Sequence, residues 1–324
     1  MTYKAALGAL AAALLITPLA GAQAPASGPA QAEAQRAVRA QQVSPSTWYV
    51  QGDSALGTPA NRNFISNAGI IATPAGAVVV DALGSPQLAR ELIAEVRRVT
   101  GQPVTHVVVT HYHADHVYGL QEFQKAGARI LAVGKAREYL HSDTAALRLQ
   151  ASRAELAPWI DAQTRLVPAD DWLDGPRTLE LGGTRIELIP VGPAHTPEDL
   201  VVYLPREQVL FAGDLVFRGR IPFVGQADSR NWIRALETVL RLDAKAVVPG
   251  HGPMSTDARG DMQLTRDYLA FLRESMGRAA REMEPFDDAY AATDWSRFEN
   301  LPLFRLANRM NAYNTYLLME RESK

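Results

Sequence analysis

The stretch Thr110-His111-Tyr112-His113-Ala114-Asp115-His116 places four side chains that bind metal ions within six residues. Imidazole and carboxylate suit zinc or a neighbouring divalent ion. The cluster follows Val107-Val108-Val109, a β-branched run that reads as a buried strand, so it stands at a strand's C-terminal end. His111 and His113 alternate as strand residues do and can face one ion together. Asp115 and His116 continue round a turn and can face a second.

Three more polar residues close apolar strands in the same manner. His195 follows Arg185–Val191, Asp214 follows Val209-Leu210-Phe211, and His251 follows Ala246-Val247-Val248, each near a glycine that permits a tight turn. Strand ends gathered on one rim are where sheets of α/β type build their sites. Five of the seven histidines belong to this set. The other two, His106 inside the preceding strand and His141 at the end of a helical stretch, read as packing or surface residues.

These motifs together resemble the metallo-β-lactamase-fold superfamily: a His-x-His-x-Asp-His strand end, a later His, a later Asp and a last His, over about residues 46–254. The resemblance implies a first metal on His111, His113 and His195. It implies a second on Asp115, His116 and His251, with Asp214 bridging the two. Asp81, which ends Ala77-Val78-Val79-Val80, matches an early strand-end aspartate that buttresses such sites. The expected cofactor is a pair of zinc ions, with iron or manganese as alternatives. With no cysteine in the chain, the thiolate-containing site of one large β-lactamase group is ruled out. A bridging aspartate is instead the pattern of glyoxalase II thioesterases and lactonases.

The elements that must position these residues can be read coarsely. Phe64–Thr73 and Ala77–Leu83 bracket Pro74-Ala75-Gly76, a hairpin signal. Pro86–Thr100 carries Leu88, Leu92, Ile93 and Val96 at helical spacing, with the proline where its missing N–H costs nothing. Residues 135–165 read as helical, and Asp228-Ser229 caps a helix through Leu242. Two strand-dominated halves with outer helices, an α/β (α+β) class, point to a four-layer αββα sandwich with metals at one edge. Residues 255–324 fall outside that core and suggest two helices, around Leu264–Leu272 and Leu303–Glu322. Asn308, Asn311, Ala312, Tyr313 and Glu320 in this tail resemble the exported quinoprotein-relay-type zinc metallohydrolases. The tail reads as an amphipathic cover on the sandwich, with a pocket wall or a homodimer surface as alternatives.

Composition fits a globular catalytic domain: 324 residues, 47% hydrophobic, and 33 Lys plus Arg against 35 Asp plus Glu. A net charge of −2 offers no electrostatic track for nucleic acid. Lys4, the apolar run Ala5–Ala20 and Ala22-Gln23-Ala24 form a signal-peptide pattern over residues 1–24, followed by a flexible lead-in over 25–45. The run is shorter than a spanning helix and contains Pro18, so the expectation is a periplasmic or secreted protein without a membrane span after cleavage.

Two divalent ions lower the pKa of water to about 7 and polarise a carbonyl, which suits hydrolysis of a small-molecule ester, thioester, lactone or lactam. Asp115 is the expected catalytic carboxylate, orienting the attacking hydroxide. Tyr112, Tyr118, Asn61, Asn63, Arg218 and Arg220 are candidates for gripping substrate. Ester, thioester or lactone cleavage leads over β-lactam cleavage because of Asp214. Phosphodiester cleavage and a non-hydrolytic metal protein of an exported oxidation system are the readings from other classes.

Overall fold

The protein is described by a computed structural model covering residues 38–225 and 227–322. The signal-peptide pattern and most of the lead-in lie outside the described residues. One sheet runs in chain order through β1 (Ala40–Ser44), β2 (Thr47–Val50), β3 (Ala68–Thr73), β4 (Gly76–Val80), β5 (Val104–Val108), β6 (Arg129–Val133) and β7 (Asp171–Leu173). Pairing is antiparallel as far as β4 and parallel from there on. The sheet therefore begins at Ala40, inside the stretch read as a lead-in. A second sheet has the order β12-β11-β10-β9-β8, from β8 (Arg177–Leu181), β9 (Thr184–Pro190), β10 (Leu200–Leu204), β11 (Val209–Phe217) and β12 (Ala246–His251). Only β11 and β12 pair in parallel there.

Strand alternation sorts the side chains into layers. On β4, Val78 and Val80 join Ile71 and Val108 against Leu188, Val202 and Phe211 of the other sheet. Ala77 and Val79 point the opposite way, toward helix α1 (Pro86–Thr100) through Leu88, Leu92 and Val96. Both faces are buried, which is why β4 reads as an unbroken apolar run instead of alternating. The outer face of the second sheet, with Val201, Leu210 and Ala212, packs on further helices through Trp232, Leu236, Leu269 and Leu272. Three apolar layers thus separate four layers of structure, the expected αββα order.

Helix α1 starts and stops where its sequence says it should. Ser85 caps its first turn by accepting from Leu88 N at 3.4 Å, and Gly101 ends it in the left-handed region at φ 71°. Short helices α2 (Ala114–Val117) and α3 (Leu120–Lys125) follow the His-rich turn. The long helix expected over 135–165 is instead two, α4 (Ala136–Leu140) and α5 (Asp143–Glu155), the second capped by Ser142. Pro158 lacks an N–H and disfavours helix in the residue before it, so the chain leaves helix at Leu156. Asp228 does cap α6 (Ser229–Val239), accepting from Asn231 N. That helix stops three residues early, because Arg241 N and Leu242 N bond three residues back and close a tighter last turn.

The tail is part of the fold. Helices α7 (Ala258–Glu282), α8 (Phe286–Ala292) and α9 (Phe304–Glu322) build the outer layer with α6, and α8 had no counterpart in the sequence reading. A buried polar knot joins them to the loop after β11. Asn311 accepts from Val224 N at 2.9 Å and donates to Pro222 O at 2.7 Å and to the Tyr268 hydroxyl at 3.0 Å. The Tyr268 hydroxyl in turn donates to Asn308 at 2.8 Å. No helix among the described residues is long and apolar enough to cross a membrane.

Removing one partner of this knot strands buried groups, each at a cost of about 1–3 kcal/mol. Asn311→Ala should therefore lower stability by roughly 2–4 kcal/mol, read by urea unfolding. A loss under about 0.5 kcal/mol would mean that the loop and α9 are not coupled as described.

Candidate metal centre

The strand ends do converge. His111 and His113 lie between β5 and α2, and Asp115 and His116 sit in the first turn of α2. His195 lies in the loop between β9 and β10, and His251 is the last residue of β12. Asp214 departs from expectation: β11 does not stop at Phe211 but runs on to Phe217, with its pairing register broken around Gly213. This irregularity turns the Asp214 carboxylate into the rim. The opposing strand must yield room, since a Cβ at Gly250 would lie 1.9 Å from Asp214 Oδ1.

The ligand atoms form two groups, His111, His113, His195 and Asp214 in one and Asp115, His116 and His251 in the other. His113 presents Nδ1, 3.1 Å from His195 Nε2. Asp214 Oδ2 stands 3.3 Å from His195 Nε2 and 3.8 Å from His111 Nε2, in the first group. The same carboxylate reaches the second group, with Oδ2 3.4 Å from His251 Nε2 and Oδ1 3.2 Å from His116 Nε2. Asp115 Oδ2 closes that group at 3.3 Å from His251 Nε2 and 3.6 Å from His116 Nε2.

Hydrogen bonds behind the rim settle which nitrogens face inward. Asp81, at φ 65°, accepts from Thr110 N, Thr110 Oγ1 and His116 Nδ1, each at 2.8 Å. Since the Thr110 hydroxyl proton goes to Asp81, His111 Nδ1 is the donor in its 3.1 Å contact with Thr110 Oγ1. His251 Nδ1 donates to Ile65 O at 2.7 Å. Each of these three rings has its Nδ1 engaged behind the rim and turns Nε2 inward toward a cation, the arrangement that orients metal-binding histidines. His111 Nε2, His116 Nε2 and Asp214 Oδ1 are buried with no hydrogen-bond partner. Orphaned polar atoms of this kind are rare in a dry interior, and a cation in each group would satisfy all three. The donor set fits a pair of divalent ions on this ground.

The two groups differ in electrostatics. Burial pushes the pKa of His111 and His113 down and that of His195 to about 3, so these imidazoles stay neutral. Burial also opposes charge on His116 and His251, but Asp214 and Asp115 outweigh it and raise both. Correspondingly, burial would raise the two aspartates, yet the histidines hold both below the usual carboxylate range. Asp115 and Asp214 thus favour positive charge in the second group, where a dication would serve.

Outside the ligand set, Asn67 joins the two sheets at the rim. It donates to Pro249 O at 2.8 Å and Gly252 O at 2.7 Å, and accepts from Gly52 N. Asp199, pushed up to about 8 by burial, steadies the His195 loop by accepting from Thr196 N and Thr196 Oγ1. Of the side chains proposed to grip substrate, most are engaged elsewhere. The buried Tyr112 hydroxyl donates to Val167 O, and the Tyr118 hydroxyl pairs with Ser152. Asn61 and Asn63 brace their own loop, Asn63 bonding to Gly84 O. Arg218 is held by Asp261 at 2.7 Å and by Met254 O. Arg220 alone of the six lies buried beside the rim with an unpaired nitrogen.

A four-layer αββα sandwich with a His- and Asp-lined rim defines a known class, and residues 61–251 match the metallo-beta-lactamase superfamily. The chain belongs to that superfamily, whose members related to it are metal-dependent hydrolases. It is similar to a type 2 metallo-beta-lactamase of Bacillus sp., 30% identical over 209 residues that span 63% of this chain and 72% of that one. It is also 25% identical over 247 residues to a linear primary-alkylsulfatase of Pseudomonas sp., covering 64% of this chain and 46% of the relative. Among solved structures, a metallo-beta-lactamase from Pontibacter korlensis superposes with a TM-score of 0.56 at 25% identity, over 72% of this chain and 99% of that one. An inverting sec-alkylsulfatase from Pseudomonas sp. shares the fold at a TM-score of 0.69 and 17% identity, over 87% of this chain and 50% of that one.

Asp81→Ala should weaken binding of the ion held by His116 roughly 10- to 100-fold, as loss of such an orienting carboxylate does elsewhere. Competition with a chromophoric chelator measures it, and unchanged affinity would remove Asp81 from the site. Because His116 and His251 have raised pKa values, protons compete with an ion for their group at higher pH than for the other, so its affinity falls first as pH falls. The neutral trio pays no such cost near neutrality. Stepwise acidification should therefore release one ion per chain before the other, and simultaneous release would contradict the asymmetry.

Proposed function

We propose that this chain is an exported binuclear zinc hydrolase that cleaves an ester, thioester or lactone of a small molecule. The observation that carries the reading is Asp214, one carboxylate within reach of the histidines of both groups. His111, His113 and His195 would hold one ion, Asp115, His116 and His251 the other, and Asp214 would lie between. Ions so held supply Lewis acidity, which makes water nucleophilic at neutral pH and polarises a carbonyl, so no Ser or Cys nucleophile is required. Iron or manganese would satisfy the same donors.

Asp115 has the role of proton handler. Its side chain is 16% exposed against 5% for Asp214, so of the two carboxylates it is the one an incoming water meets. It orients the attacking water and receives its proton, while the fixed imidazoles would hold the ions in place. A second reading, β-lactam cleavage, draws on the similarity to the Bacillus type 2 metallo-beta-lactamase. The alkylsulfatase relative adds sulfate esters to the substrates worth testing.

The test is the purified, metal-loaded protein assayed on a nitrophenyl ester, a thioester, a lactone, a chromogenic cephalosporin, an alkyl sulfate and bis-nitrophenyl phosphate. The highest kcat/KM should fall among the first three, and a preference for the cephalosporin would install the second reading. Elemental analysis should give two ions per chain, lost together with activity on chelation. Asp115→Ala should cut turnover roughly 100- to 10,000-fold while the ion on the three histidines is retained. Near-normal turnover in that variant would sink the assignment of Asp115.

A further inference from the structure

The seven donors come from two sheets, and each group draws on both. His111, His113, Asp115 and His116 follow β5 of the first sheet, whereas His195, Asp214 and His251 belong to a loop and two strands of the second. Each group therefore depends on one imidazole from the second sheet, His195 in one and His251 in the other. Both lean on the same side chain. Phe217 ends β11, pairs in register with His251 of β12, and is 2% exposed. Its ring lies flat on His251, centroids 5.3 Å apart and planes 7° apart, and meets His195 edge-on at 5.7 Å and 69°.

These contacts supply what hydrogen bonds leave open. The bond from His251 Nδ1 to Ile65 O fixes where that ring points, but a single carbonyl accepts over a broad range of angles and restrains its tilt weakly. A stacked ring close to parallel restrains it. His195 has no acceptor on Nδ1, so behind the rim its orientation rests on packing, against Phe217 and against Trp232 at 5.2 Å. Phe217 is itself held. Thr265 Oγ1 of α7 donates to its carbonyl at 3.3 Å, and Trp232 packs on its ring at 6.3 Å. The Nε2 atoms of the two imidazoles converge on one atom, Asp214 Oδ2, at 3.3 and 3.4 Å. Strand β11 thus carries both the shared carboxylate and, three residues on, the ring behind the histidines that face it.

We propose that Phe217 is a positioning residue for both ion sites: its one ring sets the tilt of His195 and His251, and so the separation of the ions they would hold. The inference rests on the binuclear reading above. Buried and without a donor atom, the phenyl ring acts through the two imidazoles. Its stacked and edge-on contacts are the favoured geometries for paired rings, and each works in addition to the apolar area it buries. Because the ring stands on the strand that bears Asp214, the two histidines are aligned to the carboxylate between them rather than to the first sheet.

The test loads cobalt(II) into the full chain, as wild type, Phe217→Leu and Phe217→Tyr. A chromophoric chelator then withdraws the ions while the visible ligand-field spectrum is followed. Wild type should hold two ions. Phe217→Leu, which stays apolar and loses the flat face, should weaken both roughly 2- to 10-fold, the range for an aromatic pair, and alter the bands of both. Phe217→Tyr, which keeps the face, should bring affinities and bands back close to wild type. Should Phe217→Leu fail to fold by circular dichroism, Phe217→Met fills the space without a face and takes its place. A ring that only packs would lower the thermal midpoint in these variants and leave affinities and bands as in wild type, which would overturn the proposal. Weakening of one ion alone would overturn it too, since the ring would then serve a single histidine. A wild type that takes up one cobalt ion would overturn the binuclear reading and the shared role together, whereas two ions indifferent to Phe217→Leu would overturn the shared role alone.

Discussion

Crowding of like donors at the rim is the constraint from which the surrounding structure follows. Five imidazoles and two carboxylates converge where a sheet edge would ordinarily seal itself with apolar side chains. Left alone, such a group would spread apart or hydrate, because lone pairs aimed at each other across 3–4 Å in a dry setting repel. The chain anchors three of the rings from behind: Asp81 for His116, Thr110 for His111, the Ile65 carbonyl for His251. His195 lacks such an anchor on Nδ1 and is instead wedged against Trp232, ring centroids 5.2 Å apart. Orientation is imposed before any ion arrives, so binding need not bear the whole cost of ordering the ligands.

The two sheets make that anchoring feasible. Their facing surfaces pack apolar side chains together, Val78, Val80 and Val108 on one side and Leu188, Val202 and Phe211 on the other. This layer sets the spacing of the strand ends and therefore of the groups they carry. Asn67 pins the two sheets together at the rim itself, bonding across to the segment that ends in His251. The rim is a property of the seam between sheets rather than of either sheet, and a lateral slip of the sandwich would misplace one group against the other.

What could be read from the amino-acid order was the chemistry that depends on neighbours in the chain. The His-rich turn, the strand-end aspartates and the capped helix Pro86–Thr100 all announce themselves within a few residues. What stayed hidden depends on partners far away: Asn67 works through a carbonyl 182 residues on, and nothing beside it in sequence marks that role. Arg218 and Arg220 make the point most sharply. They are two residues apart, identical in type and equally plausible as substrate contacts, yet one is satisfied by an aspartate from α7 and the other is left unpaired. Tyr112 and Tyr118 flank the metal cluster in sequence but turn into the core, because a helix start between them rotates the chain away. The length of β11 was missed for a related reason: the distorted pairing at Gly213 lets a strand continue past a residue that looks like its end.

The knot around Asn311 gives the molecule a temporal order as well as a spatial one. The loop bearing Arg220 is fastened to α9 through Val224 and Pro222, almost ninety positions downstream in synthesis. A ribosome delivers His111, Asp214 and His251 long before it delivers the residue that clamps that loop. A chain lacking α9 offers every ligand but not the clamp on the loop after β11, so an ion bound there would sit in a looser setting. Loss of the final helix to proteolysis would thus unfasten that loop without removing a single ligand.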